Sequence, residues 1–422
     1  MKIIDVLLAP ANGAFFYDDQ LAIRSGVDSD GFIYKGDPIT SGFSNIRMLA
    51  GALSIGLILS DGTIVWGDMM SVQYSGTSGR DPLFNVENIE ANTRTTLIPR
   101  LIGLSVGSFL SACKTALAHD KGKRLPLSIE YGVSQALLRA AAHAAKKSMA
   151  EVICESFTLS LPTKSVPLYA QSGDNRHVNV DKMIMRSVDI LPHGLINSYE
   201  KFGPQGSTFI EFAKWVVSRI ETFGGSEYNP TLHFDLYGWV GLEIGEDPND
   251  IAEFIAKVSD ELAPYPLNIE CPADYGSTDA QLEGYRKIVE ALKRLGSPAR
   301  IVADEHCNTL NDIQAFVEHN AAHIVQIKMP DVGSIVHTIE AVLHCKKFGV
   351  GAYVGGSCVE TDLSAQVSTH IAVATQADMM LAKPGMGVDE GMMIVGNEQS
   401  RLLTALKYSR DKVSHSSKEY AQ

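Results

Sequence analysis

The sequence lacks a CxxC pair, an HExxH motif and a run of lysines and arginines, and it has no apolar stretch approaching the roughly 20 residues a membrane span needs. Each absence removes a class of function. The six cysteines, Cys113, Cys154, Cys271, Cys307, Cys345 and Cys358, are scattered. That scatter fits reduced thiols better than a disulfide framework or a zinc site. A formal net charge of -13 without any basic cluster argues against a nucleic-acid partner, because phosphate binding needs a basic face. The opening "MKIIDVLLAPANG" carries one early lysine, and Asp5 interrupts a very short apolar run, so no signal peptide is expected. With no membrane span either, the expected location is cytoplasmic. "GGSC" and "KPGMGVDEG" resemble nucleotide loops, yet neither is a GxGxxG after a first strand, so no dinucleotide site is expected.

What the chain does have is length and apolar mass. Its 422 residues and 45% hydrophobic share support a sizeable core divided over one larger and one smaller domain. Residues 1–160 read as an α+β unit. "RMLAGALSIGLILSDGTIVWGDM" holds two apolar runs split by Asp61-Gly62, a hairpin-turn signal. "VQYSGTSGRDPLF" reads as a Gly/Ser-rich, mobile loop, and "LSIEYGVSQALLRAAAHAAKKSMAEVICE" as one long Ala-rich helix.

From about Val166 the texture changes to short apolar runs, each followed by a helical stretch. In order they are "VPLYAQSG", "VDILPHGLIN", "LHFDLYG", "PLNIECP", "RIVADEHC", "HIVQIKMP", "GAYVGGSC" and "MMLAKPG". Eight such runs close a (β/α)8 barrel, and residues 161–422 approach its usual size of about 250 residues. The expected fold is therefore α/β, with a C-terminal (β/α)8 TIM-type barrel and an N-terminal α+β capping domain. A polar tail, "SRDKVSHSSKEYAQ", is expected to fray.

Chemistry in such barrels sits at the C-terminal strand ends. Those ends present Gln171, His193, Asp235, Glu270, Asp304, Gln326, Lys328, Ser357, Cys358 and Lys383. Asp235, Glu270, Asp304 and Lys328 follow one another at gaps of 35, 34 and 24 residues, so three acids and a lysine arrive on successive strands. A single strand-end acid is as readily a helix cap or a loop ion pair. Three together repel unless something neutralises them, and Mg²⁺ suits an all-oxygen set. In "HIVQIKMPD" the two-residue period turns Ile324, Gln326 and Lys328 to one side. Lys328 could be a structural ion pair. As a base it must be neutral, and both desolvation and a nearby cation depress its pKa.

This pattern resembles the enolase superfamily, whose sites pair a Lys or His base with Mg²⁺. Within it, "YDDQLAI", "VQYSGTSGRDPLF", "AQSGDNRHVNVDKMI", "LPHGLIN", "HFDLYG", "VADEHCNT", "VQIKMPDVG", "AYVGGSC" and "LAKPGMGVDEGMMIV" are similar to the methylaspartate ammonia-lyase family over nearly the whole chain. The resemblance implies Mg²⁺-dependent elimination of ammonia from L-threo-3-methylaspartate to give mesaconate. Asp235, Glu270 and Asp304 would be the metal ligands, and Lys328 the base at C3 that forms a metal-stabilised enolate. His193 would contact the metal-bound carboxylate and could serve the other C3 epimer, and Gln326 would bind the same carboxylate. Gln171, Ser357 and Cys358 would hold the second carboxylate, Gln73 the amino group, and Leu381 the methyl pocket. A homodimer, K⁺ as a monovalent activator and a place in glutamate degradation are implied likewise, with no nucleic-acid or membrane partner. Tyr169, Ser357 and Cys271 stand where the family pattern has phenylalanine, threonine and glycine, which leaves substrate scope open. The alternative is another enolase-superfamily lyase acting on a related amino-dicarboxylate or other carboxylate. A racemase of that superfamily would carry Lys-x-Lys on the second strand, where this chain has "DILPHGLIN".

Overall fold

The computed structural model describes residues 1–118 and 124–419, with side chains described as far as 411. The N-terminal part is built on a three-stranded antiparallel sheet of Ile3–Asp18, Arg47–Leu59 and Ile64–Met69, with the Arg47–Leu59 strand in the middle. Alternate residues of that strand, Leu53, Ile55, Leu57 and Leu59, are buried, the period expected of a sheet with one covered face. The Asp61-Gly62 turn forms as read. Gly62 takes φ +87°, and the Thr63 N–H donates to Asp61 Oδ1 at 3.0 Å.

The helix Leu127–Ala145 covers the sheet at very close approach. A Cβ on Gly67 would stand 2.2 Å from the Gly132 carbonyl oxygen, and one on Gly132 2.7 Å from the Met69 nitrogen, so both positions need glycine. The long helix read from the sequence is in fact two. Lys146 adopts a left-handed φ of +56°, and Ser148 then starts Met149–Ser156 with a capping box to Glu151. Alanine content concealed a stop and a restart that Ser148 and Glu151 encode.

The C-terminal part is a closed barrel of eight parallel strands: Leu168–Ala170, Ile190–His193, Thr231–Asp235, Leu267–Glu270, Arg300–Ala303, Ile324–Ile327, Gly351–Val354 and Met379–Ala382. Seven lie within the runs read from the sequence, and Thr231–Asp235 starts one residue before its run. Tyr169, Ile190, Val302, Ile324, Tyr353, Met379 and Leu381 fill the interior, each full burial contributing roughly 1.5–3 kcal/mol. Amphipathic helices ring the outside; Thr278–Leu295, for example, opens on a Ser277 cap and closes on Gly296 at φ +70°. The last helix continues from Asp389 to Glu419, so the tail expected to fray extends it; residues 420–422 lie outside the described residues. Among the described residues, no helix is long and apolar enough to cross a membrane.

The sheet is seated on the barrel mouth. The Ala14 N–H donates to the Glu360 carbonyl at 3.1 Å, and a Cβ on Gly13 would lie 1.9 Å from the Val359 oxygen. This seam closes one side of the cleft described next.

Candidate active site

Strand periodicity decides which side chains reach the barrel mouth. Because Ile324 packs into the interior, Gln326 and Lys328 follow it to the same side. Both line a cleft together with Gln73, Gln171, His193, Asp235, Asp304, Ser357, Cys358 and Leu381. Ten of the eleven residues given site roles from the sequence thus share one cavity wall. The eleventh, Glu270, is fully buried beneath it, directly across the ladder from Asp235.

Lys328 Nζ donates to Asp304 Oδ2 at 2.8 Å, and Arg80 Nη2 lies 3.4 Å from Asp304 Oδ1. Glu270 accepts from His233 Nε2 at 2.7 Å and from the Gln326 amide. Asp235 accepts the Tyr237 N–H at 3.2 Å and faces His193 Nε2 at 3.6 Å. With each carboxylate turned to its own partners, no group of three His, Cys, Asp or Glu among the described residues is arranged to hold a metal ion.

The charge balance nevertheless leaves a deficit. Burial, then Glu305 and Asp304, drive the Asp235 carboxyl well above the usual range. Burial, then Asp235 and Asp304, do the same to Glu270. For Asp304 burial also pushes upward, but Lys328 and Arg80 overcome it and hold the group down. An all-oxygen donor set, buried and short of positive charge, fits a hard divalent cation. Lys328 departs from expectation. Burial and Arg80 push its ammonium toward neutrality, yet Asp304, Glu305 and Asp331 together outweigh them and raise its pKa. The lysine neutralises the acid that the sequence reading gave to the metal.

His193 is neutral. Burial, then the Lys328 charge, push its imidazole down to about 3. Its Nδ1 accepts the Leu195 N–H at 3.2 Å, which leaves the proton on Nε2, facing Asp235. The residue sits at φ +68°, and Tyr237 at +49° and Cys271 at +44° follow suit on the next strand ends. Left-handed non-glycine residues gathered at one rim mark a site whose geometry the fold enforces. At Cys271 this also explains why glycine would be the unstrained choice.

The loop after the Ile64–Met69 strand is pinned, contrary to its Gly/Ser-rich composition. Gln73 N–H donates to Ser357 Oγ at 2.9 Å, Asn308 Nδ2 to the Ser78 carbonyl at 2.8 Å, and Arg80 Nε to Asp331 at 3.1 Å. Ser357 is held from behind: its N–H donates to Glu360 Oε2 at 2.8 Å, and the same oxygen accepts from Lys383 Nζ at 2.8 Å. Lys383 therefore supports the loop without lining the cleft. Tyr169, too, stays behind the wall, stacked on His233 at 4.2 Å between ring centroids, its hydroxyl without a partner. All six cysteines are free and buried.

Sequence reading missed Arg80, Glu305 and Asp18. Arg80 was legible as the one basic residue of a Gly/Ser loop, and Glu305 as the second acid of "ADEHC". Glu305 Oε2 is buried without a partner, as are Arg80 Nη1 and Gln326 Oε1.

Comparisons with known proteins identify the family. A family model described as methylaspartate ammonia-lyase N-terminus matches residues 1–158, and its C-terminus counterpart matches 160–408. Methylaspartate ammonia-lyase 1 of Carboxydothermus hydrogenoformans is 46% identical over 420 residues, covering 99% of this chain and 100% of its own. The crystal structure of Citrobacter amalonaticus methylaspartate ammonia lyase containing (2S,3S)-3-methylaspartic acid superposes with a TM-score of 0.94 at 43% identity, over 96% of this chain and all of that one. The Mg complex of beta-methylaspartase from Clostridium tetanomorphum gives 0.90 at 42% identity, over 97% and 100%. With a barrel mouth of this composition and full-length similarity at both ends, the chain belongs to the methylaspartate ammonia-lyase family of enzymes.

Proposed function

We propose that this cleft eliminates ammonia from L-threo-3-methylaspartate to give mesaconate, with Mg²⁺ held by Asp235, Glu270 and Asp304. The observation that carries the reading is the placement of Lys328 and Gln326 on one strand face, beside a set of buried carboxylates short of positive charge. When bound, the cation would supply positive charge at the substrate carboxylate next to C3, where negative charge builds as the C3 proton departs, and Asp304, here paired with Lys328, would be shared with it.

Lys328 Nζ accepts the C3 proton. To do so it must reach the neutral form, which burial and the Arg80 guanidinium favour against the charges of Asp304, Glu305 and Asp331. The C3–H electron pair becomes the C2–C3 double bond, and the C2–N pair leaves with ammonia. His193, neutral and protonated on Nε2, donates to the carboxylate next to C3; at that nitrogen it would accept a proton for the other epimer only after changing tautomer. Gln326 binds the same carboxylate through its amide. Gln171, Ser357 and Cys358 receive the second carboxylate, Gln73 takes the amino group, and Leu381 lies against the methyl. K⁺ as an activator and a homodimeric assembly are part of the proposal and rest on the family resemblance alone.

The test is to incubate the protein with L-threo-3-methylaspartate, Mg²⁺ and K⁺ and to follow the ultraviolet absorbance of the conjugated product. Wild type forms mesaconate, and Lys328→Ala loses about 10²–10⁴-fold in rate while retaining Mg²⁺ in calorimetry. A Lys328→Ala enzyme of undiminished rate would exclude the lysine as base.

A further inference from the structure

Gln73 is the first-domain residue given to the substrate's amino group, and its side chain is held in one sense. Its Nε2 donates to Asp18 Oδ2 at 2.8 Å. A carboxylate can only accept, so the amide must turn its NH2 to Asp18 and its oxygen the other way. The oxygen faces Cys358, whose Sγ donates to Gln73 Oε1 at 3.1 Å beside the cleft. The backbone is clamped as well: Asp18 N–H donates to the Gln73 carbonyl at 3.1 Å, and Gln73 N–H to Ser357 Oγ at 2.9 Å.

Asp18 is itself secured. It is 2% exposed and lies directly across the sheet ladder from Arg47. Arg47 meets it with two parallel bonds, Nε at 2.7 Å and Nη2 at 2.8 Å. The guanidinium lies over the Phe32 ring at 4.1 Å and the Tyr34 ring at 4.7 Å, in a cage contributed by the small hairpin that precedes its own strand. A two-pronged, ring-stacked arginine keeps the carboxylate oxygens in a fixed plane, which lysine could not do.

We infer that Asp18, aligned by Arg47, is a positioning residue that fixes the Gln73 amide with its oxygen toward the cleft, so that the site presents an acceptor to the substrate's ammonium. The inference rests on the reading of Gln73 as the amino-group contact. An ammonium has three donors and no acceptor, so a flipped amide would set NH2 against it and replace an attraction with a repulsion.

The test uses the amination direction, where the amine and the dicarboxylate are varied separately. Asp18→Asn, whose amide can also accept from or donate to Gln73, raises the KM for ammonium about tenfold while the KM for mesaconate stays within about twofold. An Asp18→Asn enzyme whose two KM values rise together, or do not change, overturns the inference. Gln73→Ala separates the two levels. If it leaves the ammonium KM unchanged, the reading of Gln73 fails; if it raises that KM while Asp18→Asn does not, only the positioning role fails.

Discussion

Lys383 and Glu360 form an ion pair with neither side chain exposed, directly behind the Ser357–Cys358 loop. Lys383 Nζ donates to Glu360 Oε2 and to the Gly355 carbonyl, both at 2.8 Å, and Glu360 also accepts from the Tyr131 hydroxyl of the first domain. At 2.8 Å the attraction is roughly 6 kcal/mol at an effective dielectric of 20. Desolvation costs several kcal/mol for each ion, so the pair as a whole contributes little, whereas removing one partner strands the other at a cost of about 3–5 kcal/mol. Burial already pushes the Lys383 pKa down against the pull of Glu360, which is the same competition seen from the proton's side. Lys383→Met and Glu360→Gln should each lower stability by about that 3–5 kcal/mol, and the double variant should fall short of their sum by at least about 2 kcal/mol. Urea denaturation of the four proteins, with slopes compared for consistency, measures the cycle. Glu360→Gln should also raise the KM for methylaspartate, because Glu360 accepts the Ser357 N–H. Single variants within about 1 kcal/mol of wild type, or strictly additive losses, would refute the reasoning.

Three further outcomes are expected. Gly13→Ala forces a Cβ to within 1.9 Å of the Val359 carbonyl; it should cost about 1–3 kcal/mol or more and raise KM through the adjacent Cys358, read by denaturation midpoint and steady-state kinetics. Glu130 is pushed up from 4.5 to about 7, by burial first; the unfolded glutamate ionises earlier, so stability falls by on the order of 3 kcal/mol as pH rises from about 4.5 to 7, and Glu130→Gln removes that slope in denaturation at pH 5 and 8. Chelation by EDTA should abolish ammonia release and added Mg²⁺ restore it, while Asp235→Asn weakens Mg²⁺ binding at least about tenfold in calorimetry.

The barrel was legible because each strand is a short apolar run ended by a polar residue, and each helix between them is a separate period. Chain order alone then delivers Asp235, Glu270, Asp304 and Lys328 to one rim, since a parallel barrel sets successive strand ends side by side. What composition could not deliver was the behaviour of segments whose partners are distant in sequence. The loop around Gln73 is rich in glycine and serine, yet it is hydrogen-bonded to Ser357, Asn308 and Asp331, more than 200 residues away. The long first-domain helix reads as one element for the opposite reason: its break is purely local, in Lys146 and Ser148, and alanine periodicity masks it.

The Lys328 pKa exposes the same limit in electrostatics. Desolvation is a property of a strand pointing inward and can be read from the sequence. The compensating charges come from Asp304, Glu305 and Asp331, and only folding places Glu305 and Asp331 against the lysine. Five buried carboxyl groups, Asp235, Glu270, Asp304, Glu305 and Asp331, then face two cations, Arg80 and Lys328. A substrate with two carboxylates and one ammonium adds a further negative charge to that imbalance. Repulsion of this kind at close range costs several kcal/mol per pair at an effective dielectric near 20. The raised pKa values of Asp235 and Glu270 let protons relieve part of that imbalance, and a divalent cation would relieve it with both carboxylates ionised, which supports the proposed cation more directly than the spacing of any one acid does.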